Sequence, residues 1–313
     1  MTGRRSFLKE RTKELLLWAQ AAALGIVLRL LRSLSPVRAS NLGGFLARGL
    51  GPWLPVSRVA HDNLRRAMPE LDAAARARIV RSVWDNLGRT VAELPHLPHL
   101  QRTSDGPGWE ITGEQHVLEL VRAGRPMLFI SGHIGNWEMA LPAAVRIGIP
   151  RLAGAYRAPS NPAADRIIRQ LRDEAMGQAV PLFPKGAAGA RQVLAHMRAG
   201  GSIAVLADQK MNDGIAVPFF GRMAMTAPAP AQFARLFNLP IIGARVLRVG
   251  PARLRVVCEP PMWVTPTDNR TADLAAIAAS INAMLERWIR EDPASWLWLH
   301  RRWPKPSDPY YEP

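Results

Sequence analysis

Residues 130–138 read Ile-Ser-Gly-His-Ile-Gly-Asn-Trp-Glu, and they hold the two side chains best suited to chemistry, His133 and Glu138. A neutral imidazole near pH 7 can take a proton from an alcohol in a transition state. A carboxylate bonded to its other ring nitrogen fixes the tautomer and steadies the imidazolium that forms, as the acid of a serine-protease triad does. Glu138 is the expected partner. No Gly-x-Ser-x-Gly elbow occurs, and Ser131 lies before the turn. The expected nucleophile is therefore a hydroxyl brought by the substrate, with no acyl-enzyme.

Those side chains must be positioned by elements. The apolar run at 127–130 predicts a strand ending just before His133, and strand ends are where open α/β sheets build their sites. Asn136 is the expected N-cap of a following helix, which puts Glu138 in its first turn. Gly132 and Gly135 allow the tight backbone between them. A reading in which the pair merely caps a turn and meets arginine competes with this one, and the strand-end position and two glycines weigh against it.

Other segments are candidates to complete a pocket. Tyr156-Arg157 ends a predicted strand, and Arg157 is suited to a phosphate or a developing negative charge, or is a surface arginine. Asp208-Gln209-Lys210 follows the strand-like 202–207, again at a strand end. Pro218-Phe219-Phe220-Gly221 is an apolar loop that lines an acyl channel or closes the core. Trp296, Trp298 and Trp303 alternate with His300, Arg301 and Arg302, a pattern of membrane interfaces or of a packed terminus. The remaining histidines have no trustworthy partner spacing, so neither a metal nor a cofactor is expected.

Along the chain, 15–31 is apolar but interrupted by Gln20 and Arg29, with basic residues on both sides. It is shorter than the ~20 residues a spanning helix needs, so a short or interfacial anchor, a core helix and a signal peptide are the readings. Helices are expected at 57–68, with Ser57 as N-cap, and at 72–92. After Asp105-Gly-Pro-Gly108, strand-like and helical runs alternate, then 240–259 looks like paired strands before a final amphipathic helix at 273–290. This pattern predicts an α/β fold, a mostly parallel sheet flanked by helices. The expected division is an N-terminal membrane-associating helix and helical subdomain at 1–104 and an α/β domain at 105–313, as one continuous unit.

The charge is strongly positive, 41 Lys+Arg against 25 Asp+Glu for a net of +16. Such a surface suits phosphorylated lipids, anionic membranes or an acidic carrier protein. The basic residues are spread along the chain with no nucleic-acid motif, which argues against a nucleic-acid partner. Cys258 is the lone cysteine. It excludes an intrachain disulfide and a multi-cysteine metal site, and it fits a reducing compartment.

Taken together, SGHIGNWE (131–138), YRAPSNPAADR (156–166), PKG (184–186), ADQK (207–210), VPFFG (217–221) with Thr226, and WLWLHRRW (296–303) resemble the late lauroyl/myristoyl acyltransferases of lipid A biosynthesis. The resemblance runs over about residues 10–304. It implies an α/β acyltransferase with an N-terminal anchor, on the cytoplasmic face of the inner membrane. It implies acyl carrier protein as donor and a hydroxyl of a Kdo-bearing lipid A precursor as acceptor. The H-x4-D/E pair lands on His133 and Glu138, with Asn136, Arg157, Asp208, Gln209, Phe219 and Phe220 as substrate-binding candidates. Phe-Pro-Lys-Gly at 183–186 departs from the F-P-E-G-T-R element of glycerolipid acyltransferases, so Lys185 does not inherit that element's phosphate role. An acyltransferase of this fold acting on another lipid, such as a glycosylated phosphatidylinositol or an aminolipid, is the alternative.

Overall fold

The structure is a computed structural model that describes residues 2–156, 161–184 and 186–304. Four helices come first: α1 (Thr2–Arg32), α2 (Pro36–Leu50), α3 (Ser57–Ala67) and α4 (Ala73–Glu93). The helix α2 lies outside the sequence expectations, although its signals are present. Pro36 stands at the first turn and the Ser35 side chain caps Arg38 N–H, a pre-set φ and a satisfied donor at the two places a helix start needs them. Asp72 caps α4 through Ala75 N–H at 2.6 Å. Ser57 is not a cap: it lies inside α3 with Val56 before it, donates to the Gly51 carbonyl and accepts from Trp84 Nε1.

The α/β region then runs β1 (Gly108–Thr112), α5 (Glu114–Arg122), β2 (Leu128–Ser131), α6 (Ala140–Arg146), β3 (Leu152–Tyr156), α7 (Pro162–Met176), β4 (Leu182–Pro184), α8 (Ala187–Arg198) and β5 (Ser202–Leu206). It continues with β6 (Lys210–Phe219), β7 (Arg222–Thr226), α9 (Ala229–Phe237), β8 (Ile241–Gly250), β9 (Arg253–Cys258) and α10 (Arg270–Glu291). Seven strands form one sheet in the order β1-β9-β8-β2-β5-β3-β4. Its pairs are parallel apart from the β8–β9 hairpin. This is the mostly parallel sheet flanked by helices that strand–helix alternation predicts.

The expected Pro218–Gly221 loop is instead the tip of the antiparallel β6–β7 hairpin, which turns at Phe220 and Gly221. Cores form on both faces of the sheet. One joins Leu64, Val83, Ile130 and Ile203 to Leu285, Trp288, Trp296 and Trp298; the other joins Leu97, Trp109, Val117, Phe129, Ile242 and Val246. The strand β2 is buried along its whole length. That explains its unbroken apolar sequence, as expected of a central parallel strand covered on both sides.

Candidate active site

His133 follows β2 by two residues, and Asp208 follows β5 by two. These strands are parallel neighbours, with Leu128 opposite Ile203 and Ser131 opposite Leu206. Extending that register beyond the strand ends brings 133 opposite 208. Ala207 N–H donating to Ser131 O at 2.9 Å carries the ladder one step further. The result is a bonded pair. His133 Nδ1 lies 2.9 Å from Asp208 Oδ1 and 3.1 Å from Oδ2, and His133 N–H donates to Oδ2 at 2.9 Å. Trp296 Nε1–H also donates to Oδ2, at 2.7 Å. Asp208 is buried and His133 nearly so, with 15% of its side chain exposed.

Burial of Asp208 favours its neutral form, yet the His133 charge, its two hydrogen bonds and the Trp296 donor together pull the carboxyl well below the usual range. Burial likewise opposes a charge on His133. The Asp208 carboxylate, its hydrogen bond and the Glu138 charge outweigh that opposition, so the imidazole titrates above its ordinary value. With Asp208 ionised, Nδ1 carries the proton of the neutral ring and Nε2 keeps its lone pair. Gln209 Nε2 lies 3.4 Å from that Nε2 and 3.2 Å from His300 Nε2. Trp137 closes one side of the ring edge-on at 5.1 Å between centroids.

Glu138 does not take the position expected of it. Its carboxylate is clasped by Arg172 of α7, Nε to Oε2 at 2.7 Å and Nη2 to Oε1 at 2.6 Å, and it also accepts from Trp137 Nε1 at 3.1 Å. The reason is local geometry. Trp137–Met139 is one tight 3-10 turn, and the α-helix begins only at Ala140. Glu138 therefore reaches sideways to α7 instead of back over the imidazole, and it acts on His133 by charge across a short distance.

Asn136 is not a side-chain cap either. It is fully buried and donates through Nδ2 to Glu93 Oε2 at 2.7 Å. Glu93, also fully buried, collects Ser40 Oγ–H at 2.6 Å, Ala252 N–H at 3.0 Å and the Arg248 guanidinium. About one and two helical turns back along α4, Thr90 and Asn86 donate to the Gly135 carbonyl at 3.1 and 2.9 Å. Helix α4 thus braces the 132–136 turn from beneath. Gly135 is required there: its φ is +57°, and a Cβ would meet the Val246 carbonyl at 1.8 Å.

The amides of this turn are used inside the protein. His133 N–H goes to Asp208, Ile134 N–H to Gly132 O, and Gly135 N–H to Ser295 O. Arg157 and Lys185 lie outside the described residues. Tyr156 ends β3 with its ring flanked by Arg169 and Arg172 guanidinium groups at 4.8 and 5.4 Å.

A buried dyad at the carboxyl ends of two central parallel strands, with Nε2 turned outward, is equipped for proton transfer to and from a hydroxyl. Comparison with known proteins names the chemistry. The bacterial lipid A biosynthesis acyltransferase family matches residues 7–305. This chain belongs to that family.

A curated relative is the phosphatidylinositol mannoside acyltransferase of Mycolicibacterium smegmatis, 24% identical over 287 residues that make 88% of each chain. A solved structure with some likeness is the 1-acyl-sn-glycerophosphate acyltransferase of Thermotoga maritima, 12% identical with a TM-score of 0.39, covering 83% of this chain and 99% of that one.

In this acyltransferase Phe219 and Phe220 are core residues, 1% and 5% exposed. Phe219 stacks on Trp303 at 5.7 Å and meets Trp296 at 5.9 Å, while Phe220 meets Trp298 at 6.1 Å. Trp296, Trp298 and Trp303 are buried with them. The aromatic–basic run therefore forms a wall behind Asp208, with its three tryptophans turned into the core and not displayed as a membrane belt. Arg302 lies buried in this wall. It donates to Met225 O, Thr226 Oγ1 and Asn282 Oδ1, and burial pushes its pKa down to about 10. Cys258 is buried and its thiol is pushed up to about 12 by burial, which makes it an inert side chain.

Arg172 and Glu93 are site residues that sequence reasoning missed, and His300 was noted there only as part of the aromatic–basic run. A signal for Arg172 existed, since Arg166, Arg169 and Arg172 recur every three residues along one side of α7.

Proposed function

We propose that this chain transfers a fatty acyl group from the thioester of acyl carrier protein to a hydroxyl of an acylated, Kdo-bearing lipid A precursor. The observation that carries the reading is the His133–Asp208 pair, bonded through Nδ1, which leaves Nε2 facing the Gln209 amide and not an acid. His133 Nε2 takes the hydroxyl proton as the oxygen attacks the thioester carbonyl. The tetrahedral intermediate then breaks its C–S bond, and the departing sulfur recovers that proton from Nε2. Asp208 holds the tautomer and stays ionised throughout. The Gln209 amide, already beside Nε2, moves aside for the acceptor hydroxyl and is placed to donate to the oxyanion. The Glu138 charge helps steady the imidazolium, and Arg172, whose own charge opposes that cation, fixes the Glu138 carboxylate in place. Ser131 is buried behind the turn, consistent with direct transfer without an acyl-enzyme.

The family match and the net charge of +16 support an anionic acceptor and an acidic protein donor, at the cytoplasmic face of the inner membrane. A glycosylated phosphatidylinositol acceptor is a second reading, favoured by the mycobacterial relative.

The test is mass spectrometry of products after incubation with a Kdo-bearing tetraacylated precursor, a mannosylated phosphatidylinositol, and a panel of acyl-carrier-protein thioesters. One added acyl group on the first acceptor, absent with folded His133→Ala, is the expected result. Transfer only to the second acceptor makes the alternative correct, and transfer to neither with every donor overturns both.

A further inference from the structure

Residues Glu14–Arg32 within α1 are long and apolar enough to cross a membrane, yet the surroundings of that stretch do not fit a crossing helix. Asn161 donates to Leu17 O at 2.9 Å, Trp18 lies under the Arg166 guanidinium at 5.5 Å, a Cβ on Gly25 would lie 3.7 Å from Ile167, and Arg32 pairs with Glu174 at 3.1 Å. Helices α1 and α7 therefore run side by side in the same direction over about 20 Å at ~1.5 Å per residue. Helix α7 carries Asp165, Arg166, Arg169, Arg172, Asp173 and Glu174. A hydrocarbon core of about 30 Å around α1 would enclose that charged neighbour, which bilayers tolerate poorly.

The outward face of α1 is apolar all the same, with Leu16, Ile26, Val27 and Leu30 between 49% and 64% exposed. The next element repeats the feature. Leu42, Phe45, Leu46 and Leu50 of α2 are 42–67% exposed, and Trp53 and Leu54, in the turn that follows, are 86% and 48% exposed. Exposed Arg29, Arg38 and Arg58 rim the segment.

We infer that α1 lies on the bilayer instead of crossing it, and that α2 with the Trp53 turn is a second contact, the two forming one interfacial platform for an anionic lipid surface. Apolar faces, a tryptophan tip and an arginine rim are the composition of such a surface. The platform is rigidly tied to the site. A Cβ on Gly43 of α2 would meet the Gly88 carbonyl of α4 at 2.4 Å, so the two helices touch through their backbones. Ser40 of α2 shares Glu93 with Asn136 of the catalytic turn. Docking the platform therefore sets the height of His133 above the lipid, whichever lipid accepts the acyl group.

The buried Cys258 leaves the full-length chain open to selective labelling. Ile26→Cys, Trp53→Cys and, as an exposed control, Ala199→Cys would each carry an environment-sensitive fluorophore and be mixed with phosphatidylcholine vesicles with and without phosphatidylglycerol. Labels at 26 and 53 should shift to the blue and be quenched best by nitroxides near the lipid carbonyls, with 199 silent. Phe45→Asp, Leu46→Asp and Trp53→Asp combined should weaken vesicle binding about a hundred-fold with unchanged thermal unfolding. If that variant misfolds, the single labels decide. Three results overturn the inference: a label at 53 that ignores vesicles; a blue shift that follows protein concentration without lipid, meaning a second copy covers the face; or a label at 26 quenched best at mid-bilayer in a protein that resists carbonate extraction.

Discussion

At the residue scale the site is an imidazole between two acids that act differently. Asp208 touches Nδ1, while Glu138 is neutralised in part by Arg172 and reaches His133 only through its field. Both raise the His133 pKa. In the proposed mechanism His133 acts as base in its neutral form, so transfer should rise with pH through a value above the ordinary histidine pKa. Glu138→Gln removes one raising influence, so the acidic limb of its profile of rate against pH should move to lower pH. An unmoved limb would remove Glu138 from the electrostatics of the site. Asp208→Asn loses both the charge and the tautomer control, and transfer at neutral pH should fall by roughly 10²–10⁴. Single-turnover assays on folded protein check both.

At the scale of elements, the catalytic turn keeps its shape because α4 holds it. Glu93 is fully buried with Asn136, Ser40, Ala252 and Arg248 around it. Arg248→Leu leaves that carboxylate without its counter-charge, and unfolding by denaturant should show a loss of about 3–5 kcal/mol. Gly135→Ala cannot be accommodated without moving the Val246 strand or the turn. It should lower transfer far more than substrate binding, since it shifts His133 while leaving the surfaces intact; matching losses in kcat and KM would contradict this. The strand β2 and the glycines around His133 were readable in sequence, because an apolar run and a turn are local features. Helix α2 was passed over although Ser35 and Pro36 announced it. Of the β6–β7 hairpin only the Pro218–Gly221 tip is legible in sequence, because the bulged pairing between Lys210 and Ile215 breaks the alternation that marks a strand.

At the scale of the whole molecule, the positive charge is a long-range property that no single site owns. Attraction of an acidic carrier protein or an anionic vesicle should weaken with salt. Raising ionic strength from about 0.05 to 0.5 M should increase KM for the acyl donor severalfold with little change in kcat. A salt-independent KM would mean the charge serves solubility alone.

Sequence by itself determined the fold class and the family and singled out His133 as the candidate centre, because each rests on residues adjacent along the chain. Tertiary structure decided the partner of that histidine. Asp208 stands 75 residues from His133, and the two meet only because β2 and β5 pair in parallel at that constant offset. Glu138, five residues away, is turned aside by a tight 3-10 turn toward an arginine on another helix. Proximity in sequence suggested one carboxylate. The register of the sheet supplied the other.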